Sequence, residues 1–270
     1  MTRSIFWEDM TTVDFADGDV GQWIAVLPVA AIEQHGPHLP LSTDATIARG
    51  MIGHIAKVLP SDLPVVFLPV QQIGKSNEHI DFAGTLTLSW DNATKSWLDI
   101  GESVRRAGVR KLVIVTSHGG NIPIMDVVAR ELRIRHGMLV VATSWSRLGI
   151  PEGVLTVAET SYGIHAGDEE TSMMLALQPA LVRMEKALDF RSAQQAFERE
   201  FEKLRGHGLV QFGWKIGDLS RYGAVGNAAA ATSEKGWAII KHRATGFISV
   251  LRDVHGFSLD RLHEQLPAHE

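Results

Sequence analysis

The 270-residue chain contains no cysteine. Disulfides and thiolate metal centres are therefore excluded, and any transition-metal site must draw on His, Asp and Glu. It has no basic block: 26 Lys and Arg face 31 Asp and Glu, for a net charge of −5. Nucleic acid and anionic membrane surfaces are poor partners for such a chain. No apolar run approaches the roughly 20 residues of a membrane-spanning helix. The opening MTRSIFWEDM has no apolar core of signal-peptide length, so a cytoplasmic location is the expectation. Also missing are the G-x-G-x-x-G fingerprint, the P-loop and the G-x-S-x-G nucleophile elbow. Without cysteine or a serine elbow, hydrolysis by metal-activated water is better supported than a covalent intermediate.

What is present has an ordinary globular balance, 45% hydrophobic and 21% charged. Apolar runs at residues 23–29, 63–70, 111–116 and 138–143 read as strands. KLVIVT (111–116) is continuous and β-branched, as in a parallel sheet buried on both faces. Between the strands lie helical patterns from Ser42–Asp44 to about Leu59, from Asp91 or Asn92 through Val104, and over 122–136. A further helix opens near His165 and closes at Pro179. The alternation runs over 23–178 without a linker, which predicts a single domain spanning 1–270. The charge-rich residues 189–207 read as helix. The glycine-rich residues 208–232 read as a long loop holding a lid or subunit contacts. A closing helix runs from Ser233 to about Val254.

Chemistry-bearing residues gather just past the strands. AIEQHGPHLPLSTD (31–44) carries Glu33, His35 and Asp44, with Gly36, Pro37 and Pro40 shaping a loop. Asp44 also suits the first turn of the following helix. Residues 74–89 carry Glu78 and His79, candidate substrate contacts or surface groups. SHGGN (117–121) places His118 at the end of the third strand, where the glycines allow close approach. Trp145, past the fourth strand, either caps a pocket or packs. HAGDEETS (165–172) carries His165, Glu169 and Glu170 at a loop-to-helix junction. Parallel strands deliver their carboxyl ends to one edge, where open α/β folds hold their sites. The carboxylates and imidazoles suffice for two metal ions sharing a bridging carboxylate, and so for a metal-dependent hydrolase.

The stretches LPVAAIEQHGPHLPLSTD, EH…AGTLTLS, SHGGN, HAGDEETS and TSEKG, in this order over about residues 27–236, resemble the creatininase (creatinine amidohydrolase) family. The resemblance implies a three-layer α/β/α sandwich around a mostly parallel sheet. It implies two divalent ions, zinc or manganese: Glu33 and His118 on one, His35 on the other, Asp44 bridging. His165 matches the family's proton-donating histidine. The reaction implied is hydrolysis of a C–N bond in a small cyclic amide or formamide, and the assembly a homo-oligomer, hexameric in some members.

The chain departs from creatininase proper where Tyr-Glu follows the third-strand histidine. Here Gly119 and Gly120 stand, so Glu170 is expected to supply the missing carboxylate, with Glu169 as the alternative. A tryptophan expected shortly before the catalytic histidine is also absent, in the region Ser161–Ile164, while Trp145 matches the family's other pocket tryptophan. Creatinine is thus a doubtful substrate. A ring-opening hydrolase of a cyclic sugar- or inositol-derived ketone or lactone is the second reading. It needs polar contacts such as Lys75, Asn77, Glu78 and His79. A catalytically silent metal-binding assembly protein is the third.

Overall fold

Four parallel strands in the order β2-β1-β3-β4 form the central sheet: β1 (Ile24–Val29), β2 (Val65–Phe67), β3 (Lys111–Thr116) and β4 (Leu139–Ser144). The computed structural model describes residues 3–262. Along the chain the helices are α1 (Thr12–Asp17), α2 (Thr43–Val58), α3 (Trp90–Arg106), α4 (Ile122–His136), α5 (Val157–Tyr162), α6 (Asp168–Leu177), α7 (Gln194–Glu200), α8 (Ile216–Leu219) and α9 (Ser233–Gly256). β5 (Asp189–Phe190) and β6 (Gly226–Asn227) form a small antiparallel pair.

β1 and β3 are buried at every position, because alternate side chains enter two different cores. Ile24, Val26, Val113 and Val115 meet α2, α6 and α9 on one face. Ala25, Leu27, Leu112 and Ile114 meet α3 and α4 on the other, with Trp97 and Leu132 between them. This is the α/β/α sandwich that the family resemblance implies. Burial of an aliphatic side chain contributes about 1.5–3 kcal/mol, so two such cores fix the strand register and with it the positions of the strand ends. No helix among the described residues is long and apolar enough to cross a membrane.

Two expectations need correction. β2 spans three residues, not eight: Pro64 and Pro69 flank it, and proline offers no N–H to a neighbouring strand. Residues 189–207 are not one helix. Phe190 is buried against His38 and Tyr222 in extended backbone, and only Gln194–Glu200 is helical. The long loop at 208–232 contains α8 and β6.

Candidate metal centre

The strand order places a crevice between β1 and β3. From β1 the chain passes through α2 to β2 on one side; from β2 it crosses back to β3 on the other. The adjacent carboxyl ends of β1 and β3 are therefore a topological switch point, the place where such sheets bind ligands. The loop after β1 brings Glu33 and His35 there, and the end of β3 brings His118. Asp44 enters from the first turn of α2 and Glu170 from the first turn of α6. Ser117 Oγ donates to the Asp44 carbonyl at 2.8 Å, tying α2 to the end of β3.

The facing atoms form one buried cluster. His118 Nδ1 is 3.2 Å from Glu33 Oε2 and 3.7 Å from Asp44 Oδ2. His35 Nε2 is 4.0 Å from Glu33 Oε1, 3.9 Å from Asp44 Oδ2 and 3.8 Å from Glu170 Oε2. His165 Nδ1 is 3.6 Å and His79 Nε2 3.4 Å from Glu33 Oε1. Three ligand sets, Glu33/His35/Asp44, His35/His165/Glu170 and Glu33/His79/His165, each lie within 4.8 Å. All five residues expected as metal ligands are thus brought together. Glu169 turns elsewhere: its Oε1 pairs with Arg243 Nη1 at 2.7 Å.

The donor set fits a divalent cation. Glu33 Oε1, His35 Nε2 and Asp44 Oδ2 are buried without a hydrogen-bond partner. His35 Nδ1 donates to the Glu33 carbonyl at 3.0 Å, which leaves the Nε2 lone pair directed at three carboxylates. A buried lone pair among anionic oxygens is repulsive unless a cation lies between them. Burial holds His35 below its ordinary pKa, in the neutral form a metal requires. Burial and the Glu33 charge push Asp44 well above the carboxylate range. Burial opposes the charged form of Glu33 too, but His118, His79 and His165 offset it and hold Glu33 low. The upward shift of Asp44 reflects its burial and the neighbouring carboxylate of Glu33, and a bound cation would reverse it.

Around these residues stands a ring of supporting groups. Glu78 and His79, read from sequence as substrate contacts, lie against the cluster and also line the cavity. Glu78 Oε1 is 3.2 Å from His118 Nε2, and Lys75 Nζ holds the other oxygen at 2.6 Å. A carboxylate behind a ligating histidine fixes its ring and raises its basicity. His79 Nδ1 lies 2.7 Å from Gln34 Nε2, so the amide donates and the histidine's Nε2–H faces Glu33. Gln34 Nε2 also donates to the Gly223 carbonyl at 2.7 Å. Ser76 Oγ donates to Glu33 Oε2. Trp145 is buried against Phe247 and lines the cavity, so it both packs and caps.

The sequence reading passed over four further residues. Gln34 is one, hidden between two candidate ligands. Asn121, the last residue of SHGGN, accepts from Lys75 N and donates to the Ala30 carbonyl and Thr116 Oγ1. It ties the ends of β1 and β3 to the loop at 74–76. Glu159 accepts from Asp168 N and Asn227 N at 2.7 Å each. A Cβ on Gly163, Gly167 or Gly226 would overlap its carboxylate. Glu159 thereby fastens the His165 loop to β6; only the glycines around it hinted at this. Lys235 Nζ meets Asp168 Oδ2 at 2.6 Å, which gives TSEKG its place at the foot of α6.

The cluster opens into a cavity of about 1010 Å³. Its lining includes Ile150, Leu155, Met173, Phe212 and Trp214, the last two from the segment expected to hold a lid or subunit contacts.

The chain is similar to known proteins. Residues 8–251 match the family described as creatininase, creatinine amidohydrolase. A mycofactocin precursor peptide peptidase from Mycobacterium tuberculosis is 34% identical over 167 residues, 60% of this chain and 61% of that protein. The match thus spans less than two thirds of that relative's length. A creatinine amidohydrolase from Pseudomonas putida is 30% identical over 211 residues, 70% of this chain and 78% of that one. A crystal structure of a putative creatinine amidohydrolase from Bacteroides fragilis superposes with a TM-score of 0.78, covering 96% of this chain and 99% of that one. At 22% identity that likeness shows the fold.

Proposed function

The chain belongs to the creatininase family, a family of hydrolytic enzymes, and on that footing we propose that it is a dinuclear metal-dependent amidohydrolase acting on a C–N bond of a small cyclic amide or formamide. The observation that carries this reading is the mutual facing of three buried, unpartnered ligand atoms, Glu33 Oε1, His35 Nε2 and Asp44 Oδ2. Creatininase structures of the same fold include a Zn–Zn form and a manganese form, which supports zinc or manganese here. Glu33 and His118 would hold one ion, His35 and Glu170 the other, and Asp44 both. When bound, the ions supply a water of lowered pKa and polarise the substrate carbonyl.

The chain's own groups do the rest. His165 Nε2 donates to the Gln34 carbonyl at 2.8 Å, which leaves Nδ1 free to take a proton on the cluster side. Burial pushes His165 down to about 4, so the ring is neutral at pH 7. It accepts the proton released by water and returns it to the leaving nitrogen, the general base–acid cycle that amide cleavage requires. Glu78 holds the ring of His118, the Gln34 carbonyl that of His165, and the Gln34 amide that of His79. Apolar side chains of the cavity lining, Ile150, Leu155, Phe212 and Trp214, would limit the access of bulk water. We propose also that the protein works as a homo-oligomer in the cytoplasm.

The ring-opening reading for a polyol-derived ketone is less well supported. Lys75 is committed to Glu78, and His79 accepts from Gln34, so fewer polar groups are free for hydroxyls. The test is metal analysis of the purified protein, then turnover of zinc- or manganese-loaded protein on cyclic amides, formamides and inosose-like ketones. Amide or formamide turnover with about two ions per chain is expected. A protein that takes up no metal, or opens only the ketones, would overturn the reading.

A further inference from the structure

Arg243 stands out among the cavity-lining residues. It is 2% exposed, deep in the long helix α9, yet its Nη2 has no hydrogen-bond partner. The rest of the guanidinium is fixed: Nε donates to the Gly149 carbonyl at 3.1 Å, and Nη1 pairs with Glu169 at 2.7 Å beside Met173. Unpaired arginine nitrogens are costly to bury, and Arg243 lines a cavity with room for a ligand. Trp145 repeats the pattern. It is 2% exposed, lines the same cavity, and its indole Nε1 has no partner. The two are neighbours in the fold: Trp145 packs on Phe247, one turn along α9 from Arg243, and Gly149 closes the turn that Trp145 opens.

Both free groups are donors that can never accept. Whatever meets them must offer acceptor oxygens. The lining otherwise carries the carboxylates Glu33, Asp44, Glu78, Glu159, Glu169 and Glu170 against only Lys75 and Arg243. Lys75 is committed to Glu78 at 2.6 Å. A negative group on the substrate therefore has one cationic donor to reach away from the candidate metal ligands, the Nη2 arm of Arg243.

Resting on the amidohydrolase reading above, we propose that Arg243, with the Trp145 indole, forms an anchoring subsite for a substrate carboxylate. The substrate class is then an amide or formamide that carries a carboxylate remote from the scissile C–N bond. Arg243 acts here as a specificity residue: it sets which amides bind, while the chemistry stays with the cluster.

The test uses zinc-loaded protein with its metal content measured separately, so that failure to bind metal is read apart from failure of the anchor. Titration calorimetry compares N-formyl-β-alanine with its neutral carboxamide and with the corresponding phosphonate, on wild type, Arg243→Lys and Trp145→Phe. Lysine keeps a cation for Glu169 but has no second arm to offer; phenylalanine keeps the ring and loses only the N–H. We expect wild type to bind the acid at least tenfold more tightly than the carboxamide. That preference should fall to about twofold or less in Arg243→Lys, and severalfold in Trp145→Phe, with metal content unchanged. Equal affinity of acid and carboxamide for wild type would overturn the proposal. So would an acid preference that persists in both variants, since the carboxylate would then be sitting on the metals. Tighter binding of the phosphonate, with the same sensitivity to both substitutions, would replace the carboxylate with a phosphate group.

Discussion

The carboxylate of Glu78 occupies the space in which a side chain at residue 120 would begin: a Cβ on Gly120 would overlap Glu78 Oε1 and crowd His118 Nε2. Glycine at position 120 is thus the condition for the Glu78 carboxylate to stand behind His118. Gly120→Ala should push Glu78 off His118, and Glu78→Gln should weaken the same contact without the clash. Both are expected to lower metal affinity by about 10–100-fold, the usual effect of losing such a partner. Competition against a chelator reads this directly. Unchanged metal affinity in Glu78→Gln would show that Glu78 does not support the ligand.

Asn121→Ala should destabilise the fold around the crevice. The side chain is fully buried, and its loss leaves Lys75 N and the Ala30 carbonyl unpaired, at about 1–3 kcal/mol each. Urea unfolding of metal-free protein should show a loss of that order. A loss below about 0.5 kcal/mol would mean that water replaces the amide without penalty.

A third expectation concerns pH. Burial, and next the neighbouring His35, push His38 down to about 4, against an unfolded value near 6.5. A depressed histidine is protonated in the unfolded chain first. Its contribution is complete above about pH 6.5, falls as pH drops towards 4, and levels off below that. At pH 5 the loss should be roughly 2 kcal/mol relative to pH 7. Urea midpoints of wild type and His38→Gln, both with chelator present, isolate this group. If both proteins lose the same stability between pH 7 and 5, His38 is not held neutral.

Much of the architecture was legible because β1, β3 and the helices between them carry strong periodic signals, and because Glu33, His35 and His118 follow strands that announce themselves while Asp44 opens the helix after the first of them. The choice between Glu169 and Glu170 was not legible. The two are adjacent in one helical turn, and only the position of Arg243, some seventy residues on, turns Glu169 away from the cluster. Gln34 and Glu159 were missed for a similar reason: their roles arise from partners at Gly223 and Asn227, distant in sequence. Residues 189–207 misled because charge and helix propensity are local, whereas the burial of Phe190 is not.

His165 offers the most direct test of the chemistry. Its Nδ1 faces Glu33 Oε1 at 3.6 Å, and its ring lies 4.2 Å from that of His35, close enough either to serve the reaction or to ligate. The two roles separate experimentally. On the proposed ligand set of Glu33, His35, Asp44, His118 and Glu170, His165 is not needed to hold the ions, so His165→Ala should keep its metal. Its fold should also hold, because Glu159 rather than the imidazole fastens the loop to β6. What is lost is the group proposed to carry a proton from water to the leaving nitrogen, and an amine departs poorly unless protonated. A fall in kcat of about 10²–10⁴ is therefore expected, with KM changed much less, since the proton moves only in the reacting state. Metal content by plasma emission and steady-state kinetics on the substrate found in the screen make the measurement. Near-normal kcat would remove His165 from the reaction. Loss of one ion would make it a ligand, and the proton would then have to pass through His79 or water.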